Sequence, residues 1–431
     1  MAGSSPGSST SDSILVVGGG IAGITAALEA AEAGAQVFLV EKGPHLGGRV
    51  AQLARYFPKL CPPTCGLEIN FQRLRDNPAV RLFTMAEVQE VQGRAGRYRV
   101  TVRRRPRFVN DRCTACGACT EVCPVSRPNP FDYGMSTTKT IFLGHEMAFP
   151  MRYAIDADSC LFDECARCVG ACPYQAIDLH MGEETIQLEV GAVIVATGWQ
   201  PYDAQAITNL AYGHYPDVVT NVMFERMLAD NGPTQGRLLR PSDGSPVQSV
   251  AFVQCAGSRD RLHLAYCSSI CCLASLKEAS LLLERNPQAR AHVFYIDLRT
   301  PGTYEAFAST VLDDPRVRAV KGKVADILAD PQSGRLVVVA DDMVSGEMSR
   351  TAVDLVVLAT GMVSSLDADR PAGAIATEAF GFVAEEGGEG GIFAAGCARA
   401  PMDVASTTLE ATAAAMRALA AVRRDPVEVG A

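Results

Sequence analysis

The sequence predicts an α/β chain made of two dinucleotide-binding-type domains, the first of them split by a cysteine-rich insertion, and three observations carry that prediction. An apolar run, Ser13 to Val17, leads into Gly18-Gly19-Gly20-Ile21-Ala22-Gly23 and then an alanine-rich stretch, which is the strand, G-x-G-x-x-G, helix order of a dinucleotide fold. Two later strand-like runs, Val193 to Gly198 (VIVATG) and Val356 to Gly361 (VVLATG), end in the same Ala-Thr-Gly turn. Between the first glycine turn and the first of these lie two four-cysteine runs, each closed by a proline.

At 431 residues the chain is too long for one ordinary core, so two or three domains are expected. A formal charge of −9 and a pI near 5.3 argue against a nucleic-acid partner, which needs concentrated Lys and Arg. The one dense basic run, Arg103, Arg104, Arg105 and Arg107, reads as a solvated linker. No uninterrupted apolar stretch reaches the roughly 20 residues of a bilayer-spanning helix, so membrane contact is expected only through partner proteins. Met1 to Ser13 is rich in Ser and Gly and lacks the basic and apolar regions of a secretory leader, which reads as a disordered tail. Fifteen cysteines without such a leader point to metal or redox chemistry in a reducing, cytoplasmic setting.

In the first turn, Gly18 permits the tight reversal, Gly20 lets the backbone approach a pyrophosphate, and Gly23 lets the helix that Ile21 and Ala22 begin pack on the strand. The free N–H groups of that helix start would face the phosphate. A second strand, Gln36 to Val40, ends in Glu41, whose carboxylate can accept from a ribose 2′-hydroxyl; Lys42 follows it as a further binding candidate. A chance glycine turn with a surface Glu would not put strand, helix and acid in register. Gly47-Gly48-Arg49 comes next, Arg49 offering a planar cationic fork to a diphosphate. Thr197 and Gly198 close the first Ala-Thr-Gly run and Gly361 the second. Ile392 to Gly396, with Cys397, precedes a helix expected over Thr408 to Val422. The ordered set is arranged like the two-dinucleotide-domain flavoproteins of the thioredoxin reductase type, so FAD is preferred to NAD as the ligand of the first turn.

Cys113, Cys116, Cys119 and Cys123, followed by Pro124, form C-x2-C-x2-C-x3-C-P, the run of bacterial ferredoxins. Cys160, Cys165, Cys168 and Cys172, followed by Pro173, repeat it with a first gap of x4, which leaves Asp163 as an alternative to Cys160. Carried over from ferredoxins, the pattern implies that Cys113, Cys116, Cys119 and Cys172 hold one [4Fe–4S] cluster, and Cys160, Cys165, Cys168 and Cys123 another. Zinc is the competing reading of closely spaced thiolates. The proline endings and the pseudo-twofold repetition favour clusters.

A second phosphate turn belongs after the strand Ser249 to Gln254, where a nicotinamide nucleotide would bind. The sequence there is Cys255-Ala256-Gly257-Ser258-Arg259-Asp260, then Cys267 and the pair Cys271-Cys272. The glycine triplet is missing, and the C-x11-C-x3-C-C spacing offers four thiolates to a third cluster; buried structural cysteines are the alternative. These sites use twelve of the fifteen thiols and leave Cys61, Cys65 and Cys397. Cys397 is expected near the flavin ribityl phosphate, while Cys61 and Cys65 read as a redox pair, as ligands lent to a neighbouring protein's cluster, or as packing in a Pro-rich loop.

The motif Cys255-Ala-Gly-Ser-Arg-Asp260 with Tyr266-Cys267 and Cys271-Cys272 resembles the A subunit of heterodisulfide reductase, from Ser13 to nearly the end of the chain. The segment Tyr56 to Asn70 looks most like the A subunit of the quinone-interacting membrane-bound oxidoreductase within that superfamily, and the C-terminal ferredoxin extension of the longer methanogen proteins is not found. The resemblance implies an oxidoreductase subunit with FAD and three [4Fe–4S] clusters. The partners it implies are a second flavoprotein subunit together with a heme-bearing membrane subunit. The implied task is electron relay between membrane quinol and adenylylsulfate reductase, from a peripheral position at the inner membrane. The resemblance also suggests that Lys277, on a helix expected over Leu273 to Glu284, approaches the flavin ring and favours its reduced, anionic form, so that Lys277→Ala lowers the flavin potential; solvated helix surface is the alternative. Competing readings are a heterodisulfide or thiol–disulfide reductase complex, with electron bifurcation as an added feature, a self-sufficient NAD(P)H dehydrogenase, and a relay module with no substrate of its own. The expected division is a tail at 1–12, FAD-domain parts at 13–104, 183–246 and 346–431, a ferredoxin insert at 105–182, and a cluster-bearing second domain at 247–345.

Overall fold

The computed structural model of the protein describes residues 12–57, 60–366, 370–384 and 390–423. The tail expected at 1–12 lies outside them apart from Asp12, as do Pro58 and Lys59 of the Tyr56 to Asn70 segment.

The chain opens with β1 (Ser13–Val17), α1 (Ile21–Glu32), β2 (Gln36–Val40), α2 (Pro63–Asp76) and β3 (Val80–Phe83). All five residues of β1 are buried, as expected of a central parallel strand covered on both faces. An antiparallel pair, β4 (Ala86–Arg94) and β5 (Arg97–Arg104), follows, and the chain then leaves for the cysteine-rich insert. The insert is compact, with two five-residue helices, α3 (Ala118–Val122) and α4 (Arg167–Ala171), around Phe108, Ile141, Ile155 and Ala176. On return, β6 (Glu184–Val190) pairs with β5 at the point of exit, Glu184 opposite Arg104. β7 (Ala192–Val195) then lies parallel to β1, so the insert interrupts the first domain without disturbing its sheet.

The second domain runs through β8 (Val218–Thr220), α5 (Asn221–Leu228), β9 (Ser249–Ala256), α6 (Cys271–Arg285), β10 (Arg290–Tyr295), α7 (Tyr304–Leu312) and β11 (Val317–Lys321). An antiparallel meander, β12 (Val324–Ala329), β13 (Leu336–Asp342) and β14 (Glu347–Val353), leads to β15 (Leu355–Thr360). The chain ends in the first domain with β16 (Ile392–Ala394) and α8 (Val404–Arg423).

Two parallel sheets result, in the orders β16-β7-β1-β2-β3 and β8-β15-β9-β10-β11. In each, helices cover one face and antiparallel strands the other, and in parallel sheets of this kind ligands bind beyond the carboxyl ends of the strands. The second sheet corrects two expected boundaries. β8 and α5 do not belong to the first domain's middle part at 183–246, and β14 and β15 do not belong to its last part at 346–431; each is built into the second domain. Val356 to Gly361 therefore closes the second domain, because β15 is the central partner of β9. α1 and α8 pack through Ala26, Ala30, Ala411, Ala414 and Ala418, small side chains that bring the C-terminal helix against the glycine-turn helix.

Candidate functional site

The glycine turn is shaped by the absence of side chains. Gly18 has φ +109°, and a Cβ there would overlap the Ala196 carbonyl; one on Gly23 would overlap the Gly18 carbonyl oxygen. Gly20 instead faces Gly48, and a Cβ on Gly48 would come 2.9 Å from the Gly20 Cα. Glu41 is held by this turn: its Oε2 accepts from the Gly19 amide and its Oε1 from the Gly43 amide, each at 2.6 Å. Burial pushes the Glu41 pKa up, and the two amides and Lys42 pull it back.

Together these residues open onto a cleft of about 680 Å³, within the range of cofactor sites. Its wall includes Gly18, Gly20, Ile21, Ala22, Glu41, Gly48, Arg49, Thr197, Gly198, Cys397 and Lys277 from the expected set. The other expected binding residues lie elsewhere. Gly23 sits beneath the turn, and Gly396 is pressed between Ala22 and Thr407. Lys42 points outward beside Glu87, 3.6 Å away. Gly361 abuts Ser258 and Ser268, and so supports the second domain's cysteine loop.

Four features of the cleft escaped the sequence. Arg49 is already engaged: Nε donates to the Trp199 carbonyl at 2.8 Å, Nη1 to the Tyr133 hydroxyl at 2.7 Å, and the guanidinium lies 4.8 Å over the Trp199 ring. The insert supplies part of the wall through Phe131, Tyr133, Phe142 and His145. His45 is buried beside His145 with its Nε2 2.9 Å from the Arg152 carbonyl, and burial, then Arg107 and the other neighbouring cations, depress its pKa to about 3. Finally, Lys277 is 3% exposed, so the solvated-surface reading fails; its ammonium donates to the Arg55 carbonyl at 2.8 Å and pairs with Glu225 of α5, also in the wall. A sequence pattern carries no mark for residues that meet only across domains.

The insert is pinned to both domains. Arg107 is buried and donates to Thr84 Oγ1 at 2.8 Å and to the carbonyls of Pro44, Arg152 and Tyr153. The basic run is therefore an anchor at Arg107 and a strand edge at Arg103 and Arg104, not a linker. On the other side, Asp132 Oδ1 accepts from Arg226 Nε at 2.8 Å; both residues are buried and the guanidinium stacks 4.6 Å over Phe131.

Around the insert core the structure gathers the cysteines into two groups. Cys113, Cys116, Cys119 and Cys172 line one small cavity, and Cys123, Cys160, Cys165 and Cys168 another. Cys160 is on the wall; Asp163 is exposed, its carboxylate 3.6 Å from His180. Burial pushes the Cys119 thiol up to about 12, with Cys113, Cys168 and Cys116 adding to it. Thiols that raise one another's pKa need a cationic centre to become thiolates together, which suits iron and the soft donor set.

The third group lies at the carboxyl end of β9, where a dinucleotide domain keeps its phosphate turn. Cys255, the residue before the last of β9, has φ +56° at a register break in the β9–β15 ladder, and Cys271 and Cys272 begin α6. Burial and the other thiols of the group raise Cys271 strongly and Cys255 less; beside Cys255 and Cys272, Arg259 pulls the other way. One local device recurs in all three groups. The residue two after a cysteine takes a left-handed conformation and turns its amide onto the sulfur: Ala115 (φ +56°) on Cys113 at 3.5 Å, Phe162 (φ +43°) on Cys160 at 3.4 Å, and Ser269 (φ +61°) on Cys267 at 3.4 Å. Left-handed backbone is costly for non-glycine residues, and strongly so for Phe, so its repetition at three sulfurs marks a functional turn. Among the described residues, no three His, Cys, Asp or Glu close around a single-ion position.

Cys397 is buried on the cleft wall, its thiol 3.5 Å from the Met402 carbonyl. Cys61 and Cys65 lie apart from the cleft at the start of α2; Cys65 is exposed, and both raise the pKa of nearby Tyr56 after the larger effect of burial.

Comparison with known proteins fits this geometry. The FAD dependent oxidoreductase family matches residues 13–92, and the 4Fe-4S binding domain family residues 106–126. The chain is 39% identical over 419 residues to the iron–sulfur A subunit of the CoB–CoM heterodisulfide reductase of Methanocaldococcus jannaschii, covering 94% of this chain and 63% of that one. The chain belongs to the superfamily of the heterodisulfide reductase A subunit. A second relative, the A subunit of the H2:CoB–CoM heterodisulfide,ferredoxin reductase of Methanothermobacter marburgensis, is 35% identical, with 98% and 65% covered. The chain thus spans just under two thirds of the length of these A subunits. Its fold matches the thioredoxin reductase of Lactococcus lactis with a TM-score of 0.51 at 13% identity, covering 95% of this chain and 98% of that one. FAD and iron–sulfur clusters are the cofactors of the matched families, and no described helix is long and apolar enough to cross a membrane.

Proposed function

We propose that the protein is an electron-transfer subunit of a thiol–disulfide reductase complex of the heterodisulfide reductase kind, carrying one FAD and three [4Fe–4S] clusters. FAD would occupy the cleft, its diphosphate over Gly18 to Ala22, a ribose at Glu41 and its ring toward Lys277 and Glu225. The clusters would be held by the three four-cysteine groups, with Cys160 and not Asp163 completing the second. When bound, flavin exchanges one or two electrons and clusters exchange one, which suits a junction between partners of different electron stoichiometry.

The observation that carries this reading is the position of Cys255, Cys267, Cys271 and Cys272 at the end of β9. A nicotinamide nucleotide has no glycine turn to bind there, so the flavin must take electrons from iron and not from a neighbouring hydride donor. Anaerobically prepared protein should contain about twelve irons and one FAD. Rapid flavin bleaching on anaerobic mixing with NADH or NADPH would contradict the reading.

The Tyr56 to Asn70 segment favours a second complex, in which the same protein links membrane quinol to adenylylsulfate reductase beside a second flavoprotein subunit together with a heme-bearing membrane subunit. The partners retained on anaerobic purification separate the two readings: a disulfide-reducing subunit in the first, adenylylsulfate reductase in the second.

A further inference from the structure

Glu278, the residue after Lys277 on α6, is 0% exposed, yet it belongs to the wall of the cleft. No donor group reaches either of its carboxyl oxygens, and the polar group it faces within hydrogen-bond range is the carboxyl of Glu225. Across from it, Glu225 of α5 is 3% exposed, pairs with Lys277 and accepts from the Ala54 amide at 3.0 Å. The charges acting on Glu278 among the described residues are those of Glu225 and Lys277. Besides α5, which carries Glu225, the elements packed on α6 are β9, β10, β15 and α7, and they contribute Val250, Phe252, Val293, Leu355 and Val311 to the shared core.

One ammonium thus faces two carboxyl groups. Lys277 neutralises Glu225, and a second buried carboxylate with no donor at either oxygen would carry a desolvation cost of several kcal/mol. Burial and the Glu225 charge both push Glu278 well above the usual carboxylate range, outweighing Lys277. The group that avoids the cost is a carboxylic acid, able to donate its hydrogen to Glu225.

We infer that Glu278 is a proton store for the flavin cleft, held as a neutral acid against the Glu225–Lys277 pair and discharged when the ligand of the cleft is reduced. The step balances: FAD taking two electrons from the cysteine-held clusters would accept one proton from Glu278 by way of Glu225 and Lys277, leaving a carboxylate that recovers its proton from solvent once the flavin is reduced; on reoxidation the flavin returns that proton to solvent. This inference rests on the assignment of FAD to the cleft, but its first test does not need FAD.

Infrared spectra of the full chain, prepared without flavin, should contain a protonated-carboxyl band that is lost in Glu278→Gln. In Glu225→Gln, where the like charge is gone and Lys277 is free to pair with Glu278, that band should weaken as Glu278 ionises. A band unchanged in both variants overturns the inference; if Glu278→Gln fails to fold, the response of Glu225→Gln decides. In FAD-loaded protein, dye-monitored proton uptake from solvent on flavin reduction should lag behind reduction in the wild type and keep pace with it in Glu278→Gln. Equal timing in the two proteins overturns the storage role even if the acid is neutral. Failure of the wild type to bind FAD would instead count against the functional assignment, while the flavin-free infrared result would still decide the protonation state.

Discussion

The two parallel-sheet domains place the same element, a strand-to-helix turn at the carboxyl end of a central parallel strand, in two different chemical settings. After β1 the turn is bare: Gly18, Gly20 and Gly23 leave backbone and space for a ligand that must come close. At the end of β9 the position is filled with sulfur, and Cys255, one residue before the strand's last, is in a left-handed conformation. A sheet of this kind presents a ligand position at that end whatever the ligand is. What can bind is set by a handful of side chains, and thiols in place of glycines would suit a soft metal where glycines suit a phosphate.

The largest test of that contrast is to remove each turn separately. Cys255→Ser with Cys271→Ser should lower anaerobic iron content by about four atoms of roughly twelve while FAD stays bound. Iron unchanged would show that these thiols are structural. Conversely, Gly23→Ala should abolish FAD binding and the fold of the first domain, since the methyl would overlap the Gly18 carbonyl oxygen. Gly20→Ala meets only the Gly48 Cα at 4.0 Å, so it should weaken FAD binding, read by flavin fluorescence, and leave the melting temperature nearly unchanged.

Next in size is the tie between the two regions. Asp132→Asn leaves the Arg226 guanidinium, 1% exposed, without its carboxylate, which should cost about 3 to 5 kcal/mol in a denaturant titration. A loss below about 1 kcal/mol would mean that the insert is held mainly by Arg107. Lys277→Ala should still lower the flavin potential. Because it also strands Glu225, the measurement belongs in a pair with Lys277→Ala plus Glu225→Gln, whose equal potentials would trace the effect to the ion pair as a whole.

A further expected effect is acid sensitivity at His45, on the cleft wall. His45 has its pKa depressed to about 3 in the folded chain against an ordinary 6.5, so the unfolded state binds the extra proton first. Its contribution to stability is whole above pH 6.5 and is lost as the pH falls through that value toward 3. His45→Asn should flatten that part of the stability profile; an unchanged profile would place the sensitivity in other groups.

Much of this was legible along the chain because it is local. The glycine turn and the cysteines at the end of β9 each lie within one strand–turn–helix span, Glu41 follows the next strand, and the two ferredoxin runs repeat a short spacing, so sequence order alone brings most of these atoms near one another. The x4 gap before Cys165 left Cys160 open against Asp163, and only the folded loop puts the sulfur on the cavity wall. Lys277 was visible as a residue but not as a buried one, since its partner Glu225 comes from a different helix. Val356 to Gly361 was placed in the wrong domain because an Ala-Thr-Gly run looks alike in either sheet.

By itself, then, the sequence determined the two turns, the insertion between them and the residue types that each turn offers, because backbone freedom and thiol spacing are local properties. Only the tertiary structure decided what surrounds those positions: the grip on Arg49, the Arg107 and Asp132 anchors of the insert, and the acid Glu278 beside an ion pair. Burial and pairing between elements far apart in the chain surround such groups, and neither can be read from neighbours in the sequence.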